Sequence, residues 1–188
     1  MKERIVRECR AAAMAFASLE SMAPEIATAV ACCSDALRSG KTIFLCGNGG
    51  SAADAQHIAA ELVGRYRTER TALKAIALTV DPSVVTSIGN DYGFDHVFSR
   101  QLEGLATTGD VMIAISTSGH SRNVLQAIAA AKSLGVKTIG LTGRDSGEMG
   151  RMCDILICAP AEDVPRIQEL HAAIGHILCG EIEEGVCA

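Results

Sequence analysis

A histidine and a glutamate four positions apart, His57 and Glu61, and a second histidine far along the chain, His176, are the residues best suited to chemistry. The spacing puts His57 and Glu61 one turn apart on the same face of a helix, with Arg65 continuing the stripe. Gln168 stands eight residues before His176, on broadly the same side of a later helix and about two turns away. A carboxylate and an imidazole suit general acid and base catalysis near neutral pH. His, Glu, Gln and His together are also suitable ligands for zinc. Spacing alone does not establish either use. A His–Glu pair at this separation is commonly a solvated surface pair, and nothing in the spacing shows that the two helices converge. His96, His120 and His171 read as structural or surface residues.

Two stretches rich in glycine and hydroxyl groups suggest what such a site would act on. Gly47-Asn-Gly-Gly-Ser51 and Ser116-Thr-Ser-Gly-His-Ser121 each follow a short apolar run and precede a helical one. Glycine lets backbone N–H groups come close to an anion, hydroxyls add donors, and a helix N-terminus adds positive potential. Taken singly, each reads equally as a tight turn with an N-cap, Ser51 or Ser121. Taken together they favour a phosphate cradle, since one cap needs one hydroxyl and the second stretch offers Ser116, Thr117, Ser118 and Ser121. Gly47-x-Gly49-x-x-Ala52 also fits a loose dinucleotide fingerprint. That fingerprint wants an acidic residue about 20 positions on. Asp81 lies much further along, and a dinucleotide leaves the second stretch unexplained.

Strands and helices must position these groups. Apolar runs at Thr42–Cys46, Lys74–Leu78, Asp110–Ile115, Val136–Leu141 and Ile155–Cys158 read as five strands. Helical patterns fall between them at Ser51–Val63, in two short pieces across Pro82–Leu105, at Ser121–Leu134 and at Val164–Glu184. Ahead of the first strand, Ala11–Leu19 is rich in helix formers, and a second helix runs from Pro24 to Arg38 with Gly40 as its stop. These two helices form an added layer or an oligomer contact. Apolar strands alternating with helices give a parallel sheet covered on both faces. The expectation is an α/β fold, a three-layer αβα sandwich around a five-stranded, flavodoxin-like sheet. It forms one domain over residues 1–188, with 1–40 a helical extension and 41–188 the α/β core. Ligands of such sheets bind beyond the carboxyl ends of the strands, which is where both loops fall.

Composition narrows the choice of function. Apolar residues make up 48% of the chain and aromatics only 3%, with no Trp, so the core is built from Ala, Val, Ile and Leu. A net charge of -5 without a basic stripe argues against nucleic-acid binding, while local dipoles can still hold a small anion. The eight cysteines include no C-x-x-C pair and read as reduced, small apolar side chains. Residues 1–10 are charged and lack a signal core, and no apolar run approaches the roughly 20 residues of a membrane span. The sequence therefore reads as cytoplasmic, with neither a membrane nor a nucleic acid as partner.

Five segments carry a family resemblance. They are Gly47-Asn-Gly-Gly-Ser-Ala-Ala-Asp-Ala-Gln-His57, Glu61-Leu-Val-Gly-Arg-Tyr66, Gly89-Asn-Asp-Tyr-Gly-Phe94, Ile115-Ser-Thr-Ser-Gly119 and Arg166-Ile-Gln-Glu169, with His176 following in register. Together they resemble the phosphoheptose isomerases of the SIS (sugar isomerase) domain family. The resemblance spans residues 41–184, and residues 1–40 match in helical character only. It implies interconversion of sedoheptulose 7-phosphate and D-glycero-D-manno-heptose 7-phosphate, the first step toward activated heptoses, by a cytoplasmic homotetramer with one zinc per subunit. By matching motifs, Glu61 and His176 would be the acid/base pair, and His57, Glu61, Gln168 and His176 the metal ligands. Asn48, Gly49, Gly50 and Ser51, with Ser116, Thr117, Ser118 and Ser121, would hold the phosphate. Asn90 and Asp91 would contact the sugar, with Arg65, Thr117 and Gln168 in support. Glu61 is then both base and ligand, which requires loose or exchangeable coordination.

Two alternatives remain at this point. One SIS relative is a regulator of the bacterial replication initiator. It does no known chemistry and lacks equivalents of Glu61 and His176, both of which are present here. Other SIS enzymes act on aminosugar phosphates or sugar-acid ethers, sharing the phosphate loop but using different catalytic residues.

Overall fold

The structure, a computed structural model, describes residues 1–187. Helices α1 (Lys2–Ser18) and α2 (Ala23–Arg38) come first, joined by a 3-10 turn at Leu19–Met22. There follow β1 (Ile43–Gly47), α3 (Gly50–Val63), β2 (Ala75–Ala77), α4 (Pro82–Tyr92), α5 (Ser99–Leu105), β3 (Val111–Ile115), α6 (Arg122–Ser133), β4 (Lys137–Thr142), α7 (Met149–Met152), β5 (Ile155–Cys158) and α8 (Val164–Cys187). All strand pairings are parallel, in the order β2-β1-β3-β4-β5. This is the flavodoxin-like order, whose switch point lies between β1 and β3.

The strands read as unbroken apolar runs because both faces of the sheet are covered. Ile43, Leu45, Val111, Ile113, Ile115, Ile139 and Leu141 point to one side, into a core shared with α2, α3 and α8. Phe44, Cys46, Met112 and Ala114 point to the other, toward Leu102 of α5 and Val124, Ala127, Ile128 and Ala131 of α6. The sandwich thus has three layers. Helix α2 is part of one covering layer, and Pro24 sits in its first turn. Helix α1 has no buried residue and lies outside, fixed in part by the Arg166 guanidinium of α8, which donates to the Glu8 carbonyl at 3.0 Å.

Element ends differ from the sequence reading where side chains replace ladder bonds. Strands β1 and β3 begin one residue late because the Asp110 carboxylate accepts from the backbone N–H groups of Thr42 at 2.8 Å and Thr107 at 2.7 Å. Strand β2 shrinks from the expected Lys74–Leu78 to three residues, since it is an edge strand whose Ile76 is solvent-exposed. The stretch 82–105 holds a 3-10 turn at Phe94–His96 between its two helices. All eight cysteines are free, and burial pushes Cys46 and Cys179 up to about 12, so both pack as neutral apolar groups.

Candidate active site

Strands β1 and β3 are neighbours, with Gly47 in register with Ile115. The two hydroxyl- and glycine-rich loops therefore leave the sheet side by side at the switch point, each leading into a helix. Gly49, at φ +55°, is the N-cap of α3. Ser51 is not that cap; it is buried inside the first turn. Ser121 does occupy the N-cap position of α6 but makes no capping bond, its hydroxyl lying 3.0 Å from the buried Ser116 hydroxyl. Ser118 and the half-buried Thr117 face outward between them, and Ser118 accepts from the His120 N–H at 3.2 Å. The loop backbone is pinned from outside: Gly143 N–H donates to the Thr117 carbonyl at 3.0 Å and Met149 N–H to the Gly119 carbonyl at 3.2 Å. Gly119 has φ +67°, and any Cβ there would collide with the Ser146 carbonyl oxygen, so only glycine keeps this packing.

One contact joins the two loops. Asn48 and the buried Asn123 form a reciprocal amide pair, at 2.9 and 2.8 Å. The N-termini of α3 and α6 thus lie side by side, with the loop hydroxyls close to both, an arrangement that favours a phosphate or similar anion.

The second part of the site lies along α3 and α8, which pack side by side on the same face of the sheet. Small residues let them approach. A Cβ on Gly175 would lie 2.9 Å from Ile58, and one on Gly50 would lie 2.5 Å from the Gln168 amide nitrogen. His57 Nε2 and His176 Nε2 are consequently 2.8 Å apart, with Glu61 Oε1 3.7 Å from His57. Donor atoms of all three residues lie within 4.8 Å of one another. At 2.8 Å one ring nitrogen can donate to the other, the tautomers deciding which. Tyr66 stacks on His176 with ring centroids 5.9 Å apart. Asp54, one turn before His57, has its carboxyl raised by burial, with His57 opposing the shift.

The structure brings His57, Glu61 and His176 together in one chain. It places Gln168 near the head of α3, against Gly50. Helix α3 stops at Val63, so Arg65 does not continue its stripe; it is exposed beyond the helix, 3.7 Å from Glu69. Asn90 and Asp91 end α4, exposed and bonded to each other at 2.8 Å. His171 is fully buried and pairs with the Thr142 carbonyl at 3.0 Å, while His96 and His120 are exposed. Sequence reasoning missed Asn123, which lies just past the second loop and could have been found as a polar residue on an otherwise apolar helix face. It also missed the buried Arg70–Glu183 pair, whose members are 113 positions apart and carry no local signal. A groove of about 840 Å³ runs beside His176 between α8 and the first two helices, lined by Leu19, Ile26, Val30, Ala173 and Ile177.

Known proteins are similar to this chain in sequence and fold. The SIS domain family model matches residues 9–143. A phosphoheptose isomerase of Rhodospirillum rubrum is 50% identical over 188 residues, all of both chains. One from Nitratiruptor is 60% identical over 165 residues, 88% of each chain. The structure of a Neisseria gonorrhoeae phosphoheptose isomerase superposes with a TM-score of 0.92 at 42% identity, over 97% of this chain and 98% of that one.

Proposed function

Because the chain belongs to the phosphoheptose isomerase family of SIS-domain proteins, we propose that it interconverts sedoheptulose 7-phosphate and D-glycero-D-manno-heptose 7-phosphate. The observation that carries this reading is the meeting of Glu61, His57 and His176 within 4.8 Å in one chain. Two hydroxyl-lined helix N-termini at the switch point supply the phosphate anchor.

The chemistry follows from moving one proton between neighbouring carbons. From the ketose, a base removes a proton from C1 while an acid protonates the C2 carbonyl oxygen, giving a 1,2-enediol. The reverse sequence on the other carbon delivers a proton to C2 and removes the O1 proton, leaving the aldehyde at C1. Glu61 and His176 serve as this acid/base pair, and each such group contributes roughly 10²–10⁴-fold. Asn48, Gly49, Gly50, Ser51, Ser116, Thr117, Ser118 and Ser121 hold the phosphate. Asn90, Asp91, Arg65 and Gln168 contact the sugar.

Two imidazoles and a carboxylate are the donor set of a zinc site, and their exposure leaves them open to an ion. His57, Glu61 and His176, with Gln168, would hold one zinc per subunit. When bound, the metal would polarise the carbonyl and stabilise enediolate charge. The apolar groove beside His176 fits a second copy of the chain in a homotetramer. The enzyme acts in the cytoplasm on a small phosphosugar, without nucleic acid or membrane. No helix among the described residues is long and apolar enough to cross a membrane.

Incubation with sedoheptulose 7-phosphate, fructose 6-phosphate and arabinose 5-phosphate side by side tests the reading. Aldose formation from the heptulose phosphate alone is the expected result. Turnover of only one of the other two sugars, or of none, would remove the assignment.

A further inference from the structure

The buried pair Arg70–Glu183 lies next to the cluster but belongs to neither its acid/base nor its ligand set. Both side chains are almost wholly buried, 4% and 3% exposed, with Arg70 Nε 2.9 Å from Glu183 Oε2. Each group has its hydrogen-bonding capacity nearly filled. Glu183 accepts three consecutive backbone N–H groups, from Tyr66 at 3.0 Å, Arg67 at 2.8 Å and Thr68 at 2.9 Å. Arg70 donates to the carbonyls of Glu61 at 3.0 Å and Leu62 at 2.9 Å, in the last turn of α3, and to those of Thr71 and Gly64. Those terminal carbonyls lack helical partners and carry the negative end of the helix dipole, so a guanidinium fits them.

The placement matters more than the strength of the pair. Glu183 is seven residues, about two turns, after His176 on α8. Arg70 grips the backbone of Glu61 itself. The segment wrapped around Glu183 carries Tyr66, whose ring stacks on His176 and fits beside Gly180, where a Cβ would lie 3.3 Å away. Glu61 and His176 are 115 positions apart in the chain, and beside the Gly175–Ile58 packing this ion pair links their two helices directly. We infer that Arg70 and Glu183 are positioning residues that set the spacing of Glu61 and His176, by tying the end of α3 and the Tyr66 segment to α8. The inference rests on the site assignment above, yet it can fail separately. Reacting groups displaced by about 1 Å lose roughly 10²-fold in rate, and residues supporting metal ligands are typically worth 10–100-fold in affinity.

The test is a pair of variants in the full-length protein, read by three measurements. Arg70→Met with Glu183→Leu removes both charges and keeps the volume, which buried ion pairs commonly tolerate. Arg70→Lys keeps the charge but cannot reach Glu183 and two carbonyls at once. Circular dichroism and thermal unfolding establish folding, chelator competition gives the zinc affinity, and kinetics with sedoheptulose 7-phosphate give kcat and KM separately. The expected result for a folded variant is a kcat down about 10–100-fold with KM changed less than about threefold, and zinc affinity down about 10–100-fold. Should the double variant not fold, Arg70→Lys decides. A folded variant with kcat and zinc affinity both within about threefold of the parent overturns the inference. If the parent itself does not turn over heptulose phosphate, the functional reading fails while the zinc measurement still judges the latch.

Discussion

The two hydroxyl-rich loops at the switch point and the His57–Glu61–His176 cluster are built in different ways. The loops are braced from within the chain: Ser116 and Asn123 are buried, Ser116 pairs with Ser121 and Asn123 with Asn48, and neighbouring N–H groups pin the backbone, while Ser118 stays exposed. The cluster stands on the exposed flank of two helices, with His57 51% and Glu61 26% exposed at the side chain. Behind it lies a buried scaffold, Gly175 against Ile58 and Arg70 against Glu183, in addition to the His57–His176 contact itself. On the proposed reading the loops are an anion cradle, which needs rigidity, and the cluster holds proton-transfer groups, which need access to substrate; the two demands fall at the sheet end and the helix flank.

The contrast makes graded predictions. Glu61→Gln and His176→Gln should lower kcat by roughly 10²–10⁴-fold without loss of fold, because both side chains are outside the core. Steady-state kinetics on heptulose phosphate alongside thermal unfolding checks this. Removing a ligand rather than an acid should be milder. His57→Ala should weaken zinc binding by more than the roughly 10–100-fold typical of residues that only support a ligand, read by metal content after dialysis, and leave KM for the sugar phosphate nearly unchanged. A lesion in the loop region should show the reverse pattern. Asn123→Ala strands the Asn48 amide and loosens the cradle, so KM should rise about tenfold with kcat less affected.

The smallest effect is on stability. Burial alone would raise the Glu183 carboxyl, but the N–H groups of Tyr66, Arg67 and Thr68 hold it down at about 2. A carboxyl depressed on folding stabilises the native state above its unfolded value, here 4.5, and that contribution is lost as the pH falls toward 2. Urea unfolding between about pH 5 and about pH 3 should show a steeper loss of stability for the parent than for Glu183→Gln. Equal slopes would mean that the carboxylate is not held as described.

The sheet and its loops were legible because their signals are local. Unbroken apolar runs mark strands covered on both faces, and a surplus of hydroxyls marks a loop that does more than cap. Arg65 leaves the expected stripe because α3 ends at Val63, with Gly64 as its C-cap and the Arg70 guanidinium on its last carbonyls, and periodicity alone does not register that stop. The cap alternative for Ser51 fails because Gly49, at positive φ, takes that position. The convergence of His57 and His176, 119 residues apart, depends on how closely α3 and α8 pack. That distance is written in Gly175 and Gly50, whose meaning appears only once their neighbours are known.

The central claim is that Glu61 and His176 move a proton between C1 and C2 through an enediol. Isomerisation in deuterium oxide, followed by NMR of the aldose phosphate, tests it most directly, because an exposed acid/base pair exchanges its proton with solvent. The account predicts deuterium at C2 of the product formed by the parent protein, and neither product nor exchange above background with Glu61→Gln. Product free of deuterium, or undiminished exchange in that variant, would contradict it.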